Sequence, residues 1–261
     1  MLEKELVERM SRKTHAVREI FQKDLLGERV VLRGWVYRRR SHGNLIFILL
    51  RDSTGVIQCS IHKEQVDKKT WEEAERATIE SALVVGGVTT HDKRAPGNIE
   101  LRTHFVDVIS LAEPFPIKKD AGKTFLLDNR HLFLRSPKVT SVLKIRAKVC
   151  KAAREYLEEE EYVEVHTPSF VTAAVEGGAT LFPVNYFGRT AYLTQSGQFY
   201  EEAAINGLEK VYCLQPSFRA EKSRTRRHIT EYWHLECEVA FGTHEEIMQL
   251  EENLVTYICK K

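Results

Sequence analysis

The chain has 261 residues and a mass of 30.1 kDa, enough for two domains with separate cores. A net charge of +2 and an isoelectric point near 8.2 neither require nor exclude nucleic acid, so local clustering has to decide. The five cysteines stand far apart without paired spacing, which argues against a disulfide framework or a zinc site and for reduced thiols in cytoplasm.

From the N-terminus, residues 2–22 are helical in period, with Leu2, Leu6, Val7, Met10 and Val17 roughly on one face. The segment is charged and unlike a signal peptide, and the expected role is a cap on the domain that follows. Strands are expected at 30–37, 45–51 and 56–62, with Asp52-Ser53-Thr54-Gly55 turning between the last two. Lys63 to Ile79 reads as a helix with Trp71 and Ala74 inward, and 82–88 and 99–110 as two more strands. Five strands with a helix between the third and fourth is the order of a small Greek-key barrel that binds oligonucleotides. The longest wholly apolar run, Leu45 to Leu50, is far too short to span a bilayer, so no membrane association is expected.

Pro114, Pro116 and the polar 118–123 stretch read as a linker, followed by an irregular segment from Leu126 to Ser136. Val139 to Glu161 has apolar residues at helical spacing (Val142, Ile145, Val149, Ala152, Ala153, Tyr156, Leu157). Val163 to Pro168 reads as a strand closed by proline, Gln198 to Ile205 as a helix, and Thr243 to Lys261 as a last helix whose Ile247, Leu250, Leu254 and Ile258 share a face. That last stripe is expected to be exposed, because the sheet it would pack on is partly missing. The domain reading is a helical extension at 1–24, a barrel at 25–111, a linker at 112–136 and a second domain at 137–261.

The richest segment lies within that second domain. Two apolar runs, Val211 to Leu214 and Leu235 to Phe241, flank a loop with four Lys or Arg in the seven residues 222–228. They read as a hairpin with Phe218-Arg219-Ala220-Glu221 on its first strand. An arginine, an acid two residues later and a cationic loop suit a nucleotide: a bidentate guanidinium for phosphate, a carboxylate for an adenine amino group, further cations for outer phosphates. The competing reading is a same-face salt bridge between Arg219 and Glu221.

These residues resemble a known family. The helix running into Val163-Glu164-Val165-His166-Thr167-Pro168 is similar to the first signature motif of class II aminoacyl-tRNA synthetases, and Phe218 to His228 with Glu231 to the second. The barrel resembles the OB-fold anticodon-binding domain of the aspartate, asparagine and lysine subgroup. Val175 to Phe182 and Ser223 to His228 read most like asparaginyl-tRNA synthetase of the archaeal and eukaryotic type. The fold class implied is α+β: a five-stranded OB-fold barrel followed by the first part of a class II antiparallel-sheet catalytic domain. The third motif, a glycine-rich segment carrying an arginine, should lie further on, yet no glycine follows Gly242. The acids that hold magnesium ahead of it are also not found, so an incomplete catalytic domain is expected.

What the resemblance implies is attachment of asparagine to tRNA(Asn) through an aminoacyl-adenylate, with ATP and Mg2+ as cofactors and a homodimer built on the long helix and Pro168. Arg219 would bridge the α-phosphate and the amino-acid carboxylate as the catalytic residue. Glu221 would meet adenine, Arg227 and His228 the outer phosphates, and Tyr232 would stack on the base. Glu176 would take the substrate ammonium group, with Gln198 nearby. Glu201 stands where aspartyl enzymes carry a lysine; an acid there repels aspartate and accepts from an amide, unless it merely faces solvent. In the barrel, Arg39, Phe47 and Gln58 align with positions that hold anticodon bases, Phe47 stacking unless it is a core residue. The alternatives are an aspartate–tRNA ligase of relaxed specificity, a non-catalytic tRNA-binding fragment, or an amide-forming enzyme of the asparagine synthetase type, against which the barrel argues.

Overall fold

The structure, a computed structural model, describes residues 13–118, 120–172, 181–222, 225 and 228–261. The chain divides into two compact units, Met1–Leu126 and Leu127–Lys261.

The first unit is a closed barrel of five strands in the order β1-β2-β3-β5-β4: β1 (Arg29–His42), β2 (Leu45–Arg51), β3 (Val56–His62), β4 (Ala82–His91) and β5 (Ile99–Ser110). All pairings are antiparallel except β3 with β5. Strict alternation sorts the strands: Ile46, Ile48 and Leu50 are fully buried while Phe47 and Leu49 between them turn outward. Gly87 sits at a register shift where β4 and β5 cross closely, and a β-carbon there would lie 2.0 Å from the Arg102 carbonyl oxygen.

Two helices seal this barrel. Helix α1 (Val17–Gln22) buries Val17 and Ile20 in the barrel core, the capping role expected of the N-terminal segment; Leu2, Leu6, Val7 and Met10 lie outside the described residues. Asp52 fixes α1, accepting from the Val17 amide at 3.0 Å and from the amides of Thr54 and Gly55. Helix α2 (Lys68–Arg76) is capped by Asp67 and inserts Trp71 and Ala74 into the same core.

The second unit begins differently from the sequence expectation. The stretch read as irregular forms two short helices, α3 (Lys123–Asp128) and α4 (Arg130–Phe133), the last carbonyls of α4 being met by local amides. Helix α5 (Pro137–Glu159) follows, with Ser136 as cap and proline in its first turn. Of the strand expected through Pro168 only β6 (Val163–Glu164) forms, with one further bond from the Val165 amide to the Tyr212 carbonyl at 2.8 Å. Then come β7 (Phe170–Val171), β8 (Pro183–Tyr186), β9 (Arg189–Leu193), α6 (Gln198–Leu208), β10 (Lys210–Phe218), β11 (Glu231–Val239) and α7 (His244–Lys260). The strands form two small sheets, β11-β10-β6 and β7-β9-β8.

One face of the β10–β11 hairpin is the core of this unit. Tyr212 is fully buried with Tyr156, Leu157 and Tyr162, and Leu235, Cys237, Val239, Leu250, Leu254 and Tyr257 pack around them. The stripe on α7 is therefore half-covered by α5 and not bare as expected. Uncovered apolar side chains also stand on the N-terminal half of α5, where Val142 and Ile145 are 56% and 63% exposed. Glu164 anchors β6 to α5 through bidentate Arg154, and the arginine holds that carboxyl below the usual range. Among the described residues, no helix is long and apolar enough to cross a membrane.

Candidate functional site

The second face of the β10–β11 hairpin carries the chemistry. The register pairs Cys213 with Glu236, Gln215 with His234 and Ser217 with Tyr232, so period-two alternation gathers these six polar side chains on the face opposite the tyrosine core. Arg219 follows in the same phase one residue beyond β10, its amide donating to the Thr230 carbonyl at 2.9 Å to add a rung. It is thus on the hairpin's end, not within the strand. Its guanidinium lies 5.8 Å from the centre of the Tyr232 ring.

Arg219, Glu221, His228, Ile229 and Thr230 line a recess of about 120 Å³. Thr225 and His228 are hydrogen-bonded to each other through side chains. Among the described residues no ion pair joins Arg219 to Glu221, which removes the structural salt-bridge reading; both side chains are exposed toward the recess. Arg227, together with Ser223, Arg224 and Arg226, lies outside the described residues.

Along the polar face of the hairpin and the start of α6 the packing leaves a distinctive set of orphans. Buried polar atoms without a hydrogen-bond partner include Gln195 Nε2, both oxygens of Glu201, Gln215 Nε2 and the Tyr232 hydroxyl. A folded interior satisfies nearly all such groups, since each unpaired one costs on the order of 1–3 kcal/mol. These four side chains about one hairpin face mark a place where a polar ligand would supply missing partners.

The segment leading into α6 is clamped from β11. Glu236 accepts the Gly197 amide at 2.6 Å and the Ser196 hydroxyl, and the Cys213 thiol donates to it at 3.7 Å. Gly197 has no room for a side chain: a β-carbon would sit 2.9 Å from Cys213 Sγ. Thr167 crosses to the same floor, its hydroxyl donating to Gln215 at 2.7 Å.

Of the residues expected to hold the amino acid, Glu176 lies outside the described residues. Gln198 donates to Glu202 at 2.9 Å, one turn along α6. Glu201 is fully buried, which overturns the solvent-facing alternative. Burial, then the nearby negative charge of Glu236, push its carboxyl up to about 7. Burial likewise raises Glu238 and the thiols of Cys213 and Cys237. Glu236, Gln215 and His234 were missed by motif reasoning, although the alternation Tyr232, His234, Glu236, Glu238 against Trp233, Leu235, Cys237, Val239 carries their signal.

The one group of three potential donor side chains close enough for a metal, among the described residues, is Glu201, Cys213 and Glu236. It does not suit magnesium, which takes oxygen ligands and keeps several waters. A thiol and an already bonded carboxylate offer neither.

On the barrel, Arg38, Arg40, Phe47, Leu49, Gln58, Asp92, Arg94 and Pro96 line an open concavity of about 360 Å³. Phe47 lies on the outer face, not in the core, and Gln58 donates to Glu100 at 2.9 Å, which leaves its oxygen toward the groove. Arg39 is a correction. It turns to the other side and donates from Nε to the Ala74 carbonyl of α2 at 3.1 Å. Arg38 and Arg40 pair with Leu49 and Phe47 and supply the cations of the groove instead. Glu100, which also accepts from Ser60, is a second residue the sequence reading passed over.

Comparison with known proteins bears on both units. Residues 30–109 match the family model for the OB-fold nucleic acid binding domain, and residues 122–261 that for tRNA synthetases class II (D, K and N). An asparagine–tRNA ligase of Thermococcus gammatolerans is 51% identical over 91% of this chain and 55% of its own length. That of Thermoplasma acidophilum is 46% identical over 94% of this chain and 57% of its own length. The structure of asparaginyl-tRNA synthetase from Pyrococcus horikoshii complexed with asparaginyl-adenylate superposes with a TM-score of 0.88 at 46% identity, covering 95% of this chain and 57% of that one. The Entamoeba histolytica counterpart, also with asparaginyl-adenylate, gives 0.78 at 33% identity over 90% of this chain and 55% of that one. The chain spans a little over half the length of these relatives. With more than half of its residues under the synthetase model, it belongs to the class II tRNA synthetases of the D, K and N group.

Proposed function

We propose that this chain serves ATP-dependent attachment of asparagine to its tRNA through an asparaginyl-adenylate, with the barrel reading the anticodon. The observation that carries the reading is the set of orphaned buried polar atoms about the polar face of the hairpin that leads to Arg219 and its recess. In this reading the asparagine carboxylate attacks the α-phosphate of ATP, the bond to pyrophosphate breaks, and the tRNA ribose hydroxyl later takes the asparaginyl group. The attacking carboxylate is already ionised, so no general base is needed, and catalysis rests on position and fixed charge.

Arg219 bridges the α-phosphate and the substrate carboxylate. Glu221 accepts from the adenine amino group, His228 and Arg227 hold outer phosphates, and Tyr232 supports the base. Glu236, part-exposed and held by Gly197 and Ser196, accepts from the side-chain amide. Glu176 takes the ammonium group. Magnesium would neutralise the leaving pyrophosphate, but no donor set among the described residues holds it, and no step is assigned to it. The homodimer reading is supported by the bare apolar half of α5. A cytoplasmic setting is supported by five free cysteines. The domain division placed the second domain at residue 137, after a linker; the compact units meet at Leu126 and Leu127.

The test is amino-acid-dependent ATP–pyrophosphate exchange with asparagine and aspartate side by side, together with a tRNA(Asn) binding titration. Exchange with asparagine alone supports the reading. Exchange driven equally by aspartate supports relaxed specificity, and salt-sensitive tRNA binding without exchange leaves only the anticodon-reading role.

A further inference from the structure

Glu201 sits in the first turn of α6 with no exposed surface, and neither carboxylate oxygen has a hydrogen-bond partner within normal distance. One of its oxygens, the Cys213 sulfur and one Glu236 oxygen lie within 4.8 Å of one another. Glu236 is the bonded member, engaged by Gly197 and Ser196, and it keeps some exposure where Glu201 has none. The titratable groups whose charge bears on Glu201 are Cys213 from β10, Glu236 and Glu238 from β11, and Cys237 from the other face of β11; Glu202 follows it on α6 and is bonded to Gln198. His234 touches Glu236, 3.5 Å from its Oε1. Among the described residues no lysine or arginine pairs with either glutamate. An ionised carboxylate enclosed beside another, with only the Cys213 amide and thiol near enough to favour it and burial outweighing them, is the costly state of this arrangement. A proton on the enclosed member removes the conflict.

We propose that Glu201 is held as the neutral acid against an ionised Glu236, and that this proton makes Glu201 the positioning residue for carboxamide selectivity. The proposal rests on the asparagine reading above. With the proton in place the pocket carries one negative charge, on the carboxylate that reaches solvent, whose free lone pairs suit an amide NH2. An aspartate side chain at that point meets like charge. When the proton leaves, two carboxylates whose nearest oxygens lie within 4.8 Å repel, Glu236 is driven off its bonds to Gly197 and Ser196, and the acceptor is lost from position. The lift of the Glu201 carboxyl to about 7 agrees with a proton carried through the neutral range.

The test uses the full chain with glutamate side chains labelled at the carboxyl carbon. An NMR pH titration is recorded for it and for Glu201→Gln, alongside L-asparagine binding across pH. One carboxyl resonance should titrate near neutrality and be missing in the variant. Asparagine affinity should fall about tenfold per pH unit once the pH passes that midpoint, as loss of one required proton demands, and should be pH-independent in Glu201→Gln, a neutral isostere. A purely structural role would lower affinity by the same factor at every pH. Titration of every glutamate in the ordinary carboxylate range overturns the proposal alone, as does the same pH profile in both proteins. Asparagine that binds neither protein at any pH overturns the asparagine reading, and the selectivity with it, even where the neutral Glu201 resonance is seen.

Discussion

The Glu236 carboxylate accepts the Gly197 amide at 2.6 Å, joining strand β11 to the turn that starts α6 across 39 residues of sequence. The bond works only because residue 197 lacks a β-carbon, which would collide with Cys213. Replacing Glu236 by Gln keeps the shape but turns an NH2 group toward donors, so one buried donor loses its partner. The expected cost is about 1–3 kcal/mol in chemical denaturation, with a larger loss in asparagine-dependent exchange than in tRNA binding. Unchanged denaturation would mean the clamp is not a stability element.

Arg219 stands exposed at the end of the hairpin, so its removal should leave the fold alone. We expect Arg219→Ala to change the melting temperature little while lowering ATP–pyrophosphate exchange by roughly 10²-fold or more, the usual scale for loss of a fixed cation at a transition state. Arg219→Lys should recover little, since a point charge cannot bridge two anions bidentately. Full activity in the lysine variant would contradict that role.

Glu201 also predicts a pH dependence of stability. Its folded-state carboxyl is raised to about 7, so between the unfolded value of 4.5 and about 7 the folded chain binds the extra proton. Unfolding free energy therefore falls as pH rises through that window and levels off above it. The full effect is about 3 kcal/mol for a shift of this size. Denaturation midpoints measured on either side of neutrality should show the decline in the natural chain and lack it in Glu201→Leu.

The barrel separates two kinds of arginine. Phe47→Ala should weaken anticodon-loop binding about tenfold, within the range of one base–aromatic stack. Arg40→Ala should weaken it and reduce the salt dependence by about one charge. Arg39→Ala, by contrast, should leave RNA affinity unchanged and loosen α2, seen as a lower melting temperature. RNA affinity falling equally in both arginine variants would refute the split between them.

That split also shows where the sequence stops being readable. In β1, Val30, Leu32 and Val36 face the core, so simple alternation turns Arg39 outward with Tyr37 and Arg38 and Arg40 inward. A bulge between Val36 and Arg38 reverses the phase, and a run of three arginines offers no apolar residue to betray it. The barrel itself was legible because Ile46, Ile48, Ile57, Cys59 and Ile61 keep strict period on strands bounded by turn residues. Arg219 and Glu221 were legible as a motif. Glu236 and Glu201 were harder: a charged letter in a strand or helix reads as surface, and only the packing of α6 against Cys213 shows that Glu201 is enclosed and that Glu236 stands beside it.

The two-faced hairpin of β10 and β11 has an evolutionary consequence. Its tyrosine-lined side and its polar side are sorted by parity alone, so inserting or deleting one residue in either strand would push Gln215 or Glu236 into the core and Tyr212 or Leu235 toward the ligand. Strand length is thereby frozen, and substitutions are confined to those that respect odd and even places.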